Sequence, residues 1–421
     1  MNKLKPSAQR RAITTLLAIS AATGLGAITL GAGPAAAAEA KEVKIAVVVP
    51  LSGPWARNGE LHLMGAQLAV DQINAAGGIK ALGGAKMKLV VGDAGDSTEK
   101  AKNAMQRIVS QNEDLSGGTG AFVSSFTLAV TEISERAELP WLTLSYSDQI
   151  TNRGYKYVFQ TSPTAGRQSA DALPVVLEIA KSAGVAAPKT IGIIMDNTAS
   201  PASFTKPMRE GGFERLGLKL VVDETFTPPL SDATSLVQKV RTARPDLLLV
   251  LTTNVPDTKL VLEKLNEMGL GKGRLPVVTN GGHMGSPELL QVVGKDLLQG
   301  VMVAIANWGG KGHEELIRNF RSKTGEPWMT QDSISTYGDI QLFKDAIEKA
   351  GSADPKKIAT ALRAMDSADG AARFFPGKKL SFDASGRRTD ASLVVLQWQA
   401  GEPKPVFPPA LATATPAWPK R

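Results

Sequence analysis

The chain has no cysteine and only three histidines among its 421 residues. The first absence removes disulfide frameworks, thiol nucleophiles and a lipid-anchored cysteine together. The second leaves His62, His283 and His313 without metal-ligand spacing. Neither a G-x-S-x-G elbow nor a phosphate-loop pattern occurs. Nothing therefore places a nucleophile beside a base, and the expectation is no catalytic residue, no metal, no cofactor and no enzyme activity. Acidic residues are missing from the first 38 positions, whereas Lys3, Lys5, Arg10 and Arg11 carry half of the formal net charge of +8. The remaining charges interleave, with no basic stripe or aromatic ladder, so the composition points to no nucleic-acid partner.

With 43% hydrophobic and 21% charged residues, 41 Gly and 25 Pro, the composition reads as globular and rich in tight turns. Its length suits two domains. The N-terminus has a basic start, an apolar run over 13–30 and a small-residue exit at Ala36-Ala37-Ala38 before Glu39, the three parts of a secretory signal. A cleaved leader over 1–38 and a soluble periplasmic protein are the expectation. Arg10-Arg11 leaves a twin-arginine route open, although Ala12-Ile13-Thr14-Thr15 match it poorly.

From Lys44 onward short β-branched runs alternate with amphipathic helical stretches, the pattern of a parallel sheet covered by crossover helices. Strands are expected over 43–49, 87–91, 120–123 and 141–144, with helices over 60–75 and from Asp96 or Ser97 to about 110. A second series gives strands over 190–195, 219–226 and 246–251 and helices over 169–181, 201–216, 232–242 and 257–268. Shorter elements follow: a strand near 300–304, a helix over 332–350, a helix capped by Asp354, strands near 379–382 and 392–398, and a Pro-rich tail over 401–421. The fold class is α/β, with two doubly wound lobes. Ligands of such sheets bind outside the carboxyl ends of the strands, which singles out the loops around Ser52-Gly53-Pro54-Trp55, Asp93 to Asp96, Ser124-Ser125, Ser145-Tyr146-Ser147, Asp196 to Ser200, Thr252-Thr253-Asn254 and Asn280 to His283.

Those loops in that order resemble the branched-chain-amino-acid class of type I periplasmic solute-binding proteins, the group of leucine/isoleucine/valine-binding proteins, over residues 43–400. The pieces that carry the resemblance are KIAVVVPLSGPWA, MGAQLAVDQINAAGGI, VSSFTLAV, NRGYKYVFQTSP and YGDIQLFKDAIEKAGSADPKKIATAL with LSFDASGRR. The resemblance implies two lobes joined by a three-crossing hinge, lobe one being 39–160 with 284–370 and lobe two 161–283 with 371–400. The chain would leave lobe one near Thr161, return near Gly282 and cross again near Ala371. It implies a clamp closing on a small molecule, an inner-membrane ABC permease as partner, and a monomer. A periplasmic receptor feeding a signalling partner is the alternative, and an exported hydrolase would need a constellation that is missing.

By the same resemblance Ser124 and Ser125 hold a ligand carboxylate, although either could simply cap its helix. Ser145, Tyr146 and Ser147 complete the cradle or form a turn. Trp55 walls the pocket or lies partly buried at the surface, and Asn58 is a weaker candidate. Asp93 and Asp96 are read as a structural loop and cap. In lobe two, Ser200 and Thr253 or Asn254 stand where leucine binders carry tyrosines. Asn280-Gly281-Gly282 stands where they carry the glutamate that pairs with the ligand ammonium, Gly281 falling on its register. His283 is read as a surface or capping residue, and Asp196 and Asp257 are the acids that could replace the glutamate. The expected ligand is a small organic carboxylate or amide without an α-ammonium group.

Overall fold

The computed structural model describes residues 42–418; the leader expected over 1–38 lies outside them. Twelve of the strands form two sheets, each covered by helices on both faces, as near-continuous apolar strands require. The first sheet has the order β2-β1-β3-β4-β5, all parallel. Its strands are β1 (Val43–Val49), β2 (Met87–Asp93), β3 (Leu115–Gly120), β4 (Trp141–Thr143) and β5 (Val158–Gln160). The second has the order β14-β13-β10-β9-β8-β6-β7. It contains β6 (Thr190–Asp196), β7 (Lys219–Phe226), β8 (Leu247–Leu251), β9 (Val277–Asn280), β10 (Met302–Ile305), β13 (Val394–Gln399) and β14 (Glu402–Phe407). The strands β6 to β10 are parallel and the last two antiparallel. A small ladder pairs β11 (Asp366–Ser367) with β12 (Leu380–Ser381).

Strand alternation sorts the core. Ile45, Val47 and Val49 pack on one face against the helices Ala56–Ala75 and Gln331–Ala350, while Ala46 and Val48 pack on the other beneath the helices Thr98–Gln111 and Ser124–Arg136. In the larger sheet Leu248 and Val250 face one cluster and Leu247, Leu249 and Leu251 the other. Local signals act where the sequence places them: Ser97 accepts from Lys100 N at 3.2 Å and Asp354 from Lys357 N at 3.0 Å, each capping its helix.

Several boundaries differ from expectation. The strand expected over 120–123 is β3 at Leu115–Gly120, a Gly-rich segment that strand propensity disfavours. Its glycines make room for bulky neighbours, since a Cβ on Gly117 would lie 2.3 Å from the Phe343 ring and one on Gly118 2.3 Å from the Trp141 ring. The chain does not return to the five-stranded half near Gly282, because β10 pairs with β9 and β13 in the larger sheet. It passes over between Ile305 and the helix Glu314–Thr324, whose Leu316 and Phe320 join the smaller sheet's core. The last crossing falls not at Ala371 but between Phe382, in that same core, and Leu393, in the core of the larger sheet. The 401–421 tail holds an edge strand, β14, whose prolines are tolerated at a sheet edge.

Candidate ligand site

The carboxyl ends of both sheets face a narrow cavity that opens to solvent and leaves about 30 Å³ for the centres of water-sized molecules. The smaller half contributes Phe122, Val123 and Ser124 from the turn after β3, and Leu144, Ser145 and Tyr146 from the loop after β4. The larger half contributes Ser200, Thr252, Thr253, Asn280, Gly281, Gly282 and His283. Gln331, the first residue of helix Gln331–Ala350, closes the wall.

Ser124 is the pivot of the first half. Its Oγ accepts hydrogen bonds from the backbone N–H groups of Tyr146 and Ser147, both at 3.1 Å. With two bonds accepted, what the hydroxyl still has to offer is its hydrogen. Neither Ser124 nor Ser125 caps the helix, whose N-cap is Val123, without a side-chain cap. The positive end of a 13-residue helix therefore lies at the cavity. Ser145 is spent internally, donating to Phe122 O at 2.9 Å and pairing with Thr127 Oγ1 at 2.6 Å. The Tyr146 hydroxyl donates to Gln331 Oε1, and burial pushes its pKa upward.

Four expected ligand residues do not line the cavity. Trp55 is 6% exposed and packs edge-on against Phe126 at 5.3 Å in the core beneath helix Ser124–Arg136; Phe122 and Tyr146 supply the aromatic wall instead. Ser125 Oγ accepts from Ala199 N at 3.2 Å and Ser147 Oγ pairs with Ser203 Oγ at 2.9 Å, so both fasten one half to the other. Asn254 caps helix Val255–Glu267, accepting from Asp257 N at 2.8 Å and donating to Asp257 Oδ2 at 2.7 Å. Asn58 donates to Asp332 Oδ2 at 2.7 Å. Asp93 accepts from Leu51 N and Gly95 N and so clamps its loop, while Ser97 rather than Asp96 is the cap.

The acids that could have replaced the missing glutamate are occupied elsewhere. Asp196 accepts from Thr198 N at 2.9 Å and Thr253 Oγ1 at 2.7 Å, burial raising its pKa; Asp257 accepts from Leu230 N at 2.8 Å. Among the described residues, no Asp, Glu, Lys or Arg lines the cavity wall. His283 corrects the sequence reading: it is 1% exposed, lines the cavity, and approaches Thr252 Oγ1 at 3.3 Å. Burial pushes it down to about 3, so at neutral pH it is an uncharged wall. Phe122, Val123, Leu144 and Gln331 escaped the sequence reading. The first three flank loops it had singled out, Thr252 stood inside one without being named as a contact, and Gln331 carried no signal at all.

A periplasmic binding protein family model matches residues 42–403. The chain belongs to the periplasmic binding protein family. Its curated relatives include Leu/Ile/Val-binding protein homolog 7 of Brucella melitensis, 30% identical over 93% of this chain and 96% of that one. Homolog 8 of the same organism is 29% identical over 89% and 92%. Two similar solved folds are the branched-chain amino acid transporter substrate-binding protein LivJ of Streptococcus pneumoniae with isoleucine and a solute-binding protein of an ABC transporter from R. palustris with benzoate. The first superposes with TM-score 0.73 at 22% identity over 86% of this chain and 98% of that one. The second gives 0.72 at 17% over 90% and 99%. Membership of a solute-binding family fits a cavity built of neutral donors and apolar walls.

Proposed function

We propose that this periplasmic binding protein captures a small carboxylate lacking an α-ammonium group and presents it to an inner-membrane ABC permease. The observation that carries the reading is the uncharged wall. A buried ammonium without an anionic partner costs several kcal/mol, enough to erase most of a micromolar affinity, and Gly281 supplies no charge. A carboxylate meets better terms: the free hydrogen of Ser124 and the open N-terminus of helix Ser124–Arg136 both favour an acceptor with negative charge.

Closure of the two halves around the ligand, a monomeric state, and export with cleavage at Glu39 complete this proposal. Support comes from the contacts that already join the halves, Ser125 to Ala199 and Ser147 to Ser203, and, for export, from the leader composition. Titrating ligand-stripped protein with leucine and with benzoate tests the ligand class. Leucine should show no saturation in the micromolar range, and a micromolar leucine Kd would overturn the reading.

A further inference from the structure

The side chain of Gln331 has one end tied and the other free. Its Oε1 accepts from Ala306 N at 2.8 Å and from the Tyr146 hydroxyl. A backbone N–H is donor only, so the atom facing it must be the oxygen, and the amide orientation is fixed. Nε2 is therefore a donor, buried and without a partner, on a side chain that is 0% exposed and lines the cavity. The neighbouring Asp332 carboxyl is close enough to draw on this amide as a donor but not in good hydrogen-bond geometry, so neither Gln331 Nε2 nor Asp332 Oδ1 has a well-formed partner. Across the same cavity Asn280 is 2% exposed at the end of β9, and its side-chain amide makes no hydrogen bond that fixes its orientation and is able to turn an unpartnered Nδ2 to a ligand. An unsatisfied buried donor costs about 1–3 kcal/mol, and two amides lining one cavity favour an acceptor between them.

Resting on the carboxylate reading above, we infer that the ligand carries a second oxygen acceptor, a keto, ether or hydroxyl oxygen, which Gln331 Nε2 and Asn280 Nδ2 hydrogen-bond. The site then discriminates by mismatch. An ammonium at that place brings donors to face donors, and a methylene leaves both amides dry and unpaired.

Matched pairs that differ only in the acceptor test this. One pair is 4-methyl-2-oxopentanoate and 4-methylpentanoate, with leucine as the ammonium-bearing third member. The other is 4-acetylbenzoate and 4-isopropylbenzoate, which places the acceptor far from the carboxylate. Calorimetry on ligand-stripped protein should give the acceptor-bearing member of whichever pair binds an affinity at least about tenfold higher. The binding pair tells where the acceptor sits. In Gln331→Leu and, independently, Asn280→Ala, that ratio should fall towards one, and a ratio within one variant is insensitive to its stability. Equal affinity within the binding pair overturns the inference while the carboxylate reading stands. Retention of the full ratio in both variants overturns it too. Silence of all five compounds overturns the carboxylate reading and this inference with it.

Discussion

Gly282 and Asp332 approach so closely that a Cβ on Gly282 would lie 2.1 Å from Asp332 Oδ1. One residue belongs to the loop after β9 and the other to the first turn of helix Gln331–Ala350, which packs on the smaller half. Behind this contact lies a buried polar knot. Asn58 donates to Asp332 Oδ2, Thr336 Oγ1 donates to Asp332 O at 2.9 Å, and His62 Nδ1 meets Thr336 Oγ1 at 2.6 Å. With the threonine hydrogen given to the carbonyl, His62 must donate from Nδ1. That leaves Nε2 bare, 3.6 Å from Asp332 Oδ1. Two bare acceptors face each other unless Asp332 keeps its proton. Burial drives both groups that way, raising Asp332 to about 7 and lowering His62 to about 3.

Gly282→Ala should destabilise the protein by roughly 1–3 kcal/mol, because the added carbon meets a buried carboxyl held by Asn58. Urea unfolding measures the loss, and a shift under about 0.5 kcal/mol would show that the contact relaxes freely. Ligand affinity should fall as well, since Gly282 lines the cavity.

The contributions of four buried groups to stability should nearly cancel between about pH 4 and 6.5. Asp332 and Asp339 are both raised from 3.8 to about 7 by burial. Their unfolded forms ionise first, so stability declines as pH rises from about 4 to 7. His62 and His283 are lowered from 6.5 to about 3, again by burial, and contribute the opposite slope over 3 to 6.5. Asp332→Asn removes one acid from this balance. Its stability relative to the parent should grow with pH and level off above 7, by roughly 2–4 kcal/mol. Parallel unfolding curves for the two proteins from pH 4.5 to 7.5 would refute the assignment.

Ser124→Ala removes the hydrogen offered to the ligand and the acceptor shared by two backbone N–H groups. Affinity should fall by roughly 1.5–3 kcal/mol if the partner is a carboxylate, and stability by about 1–2 kcal/mol because Tyr146 N and Ser147 N lose their partner. Calorimetry and thermal melting separate the two effects. A lowered melting point with unchanged affinity would leave Ser124 a loop fastener alone.

The sequence by itself determined the wound α/β architecture, because strand alternation, apolar helical periodicity and caps such as Asp354 act over a few residues. The strand Val43–Val49 and the strand Lys219–Phe226 stand where their β-branched runs place them. It also marked strand-end loops that meet at the cavity, since a parallel sheet puts those loops on one edge. The tertiary structure alone decided which side chains in those loops remain free for a ligand. Trp55 went to the core because helix Ser124–Arg136 offers Phe126 to cover it, and Ser125 and Ser147 were consumed by contacts to the other half. His283 became an uncharged wall through burial that no neighbour in sequence announces. Gln331 reaches Tyr146 across 185 residues. Its free donor exists only because the chain's passage back to the smaller half sets Ala306 N–H against its oxygen, a juxtaposition fixed by packing between two sheets and by no local pattern.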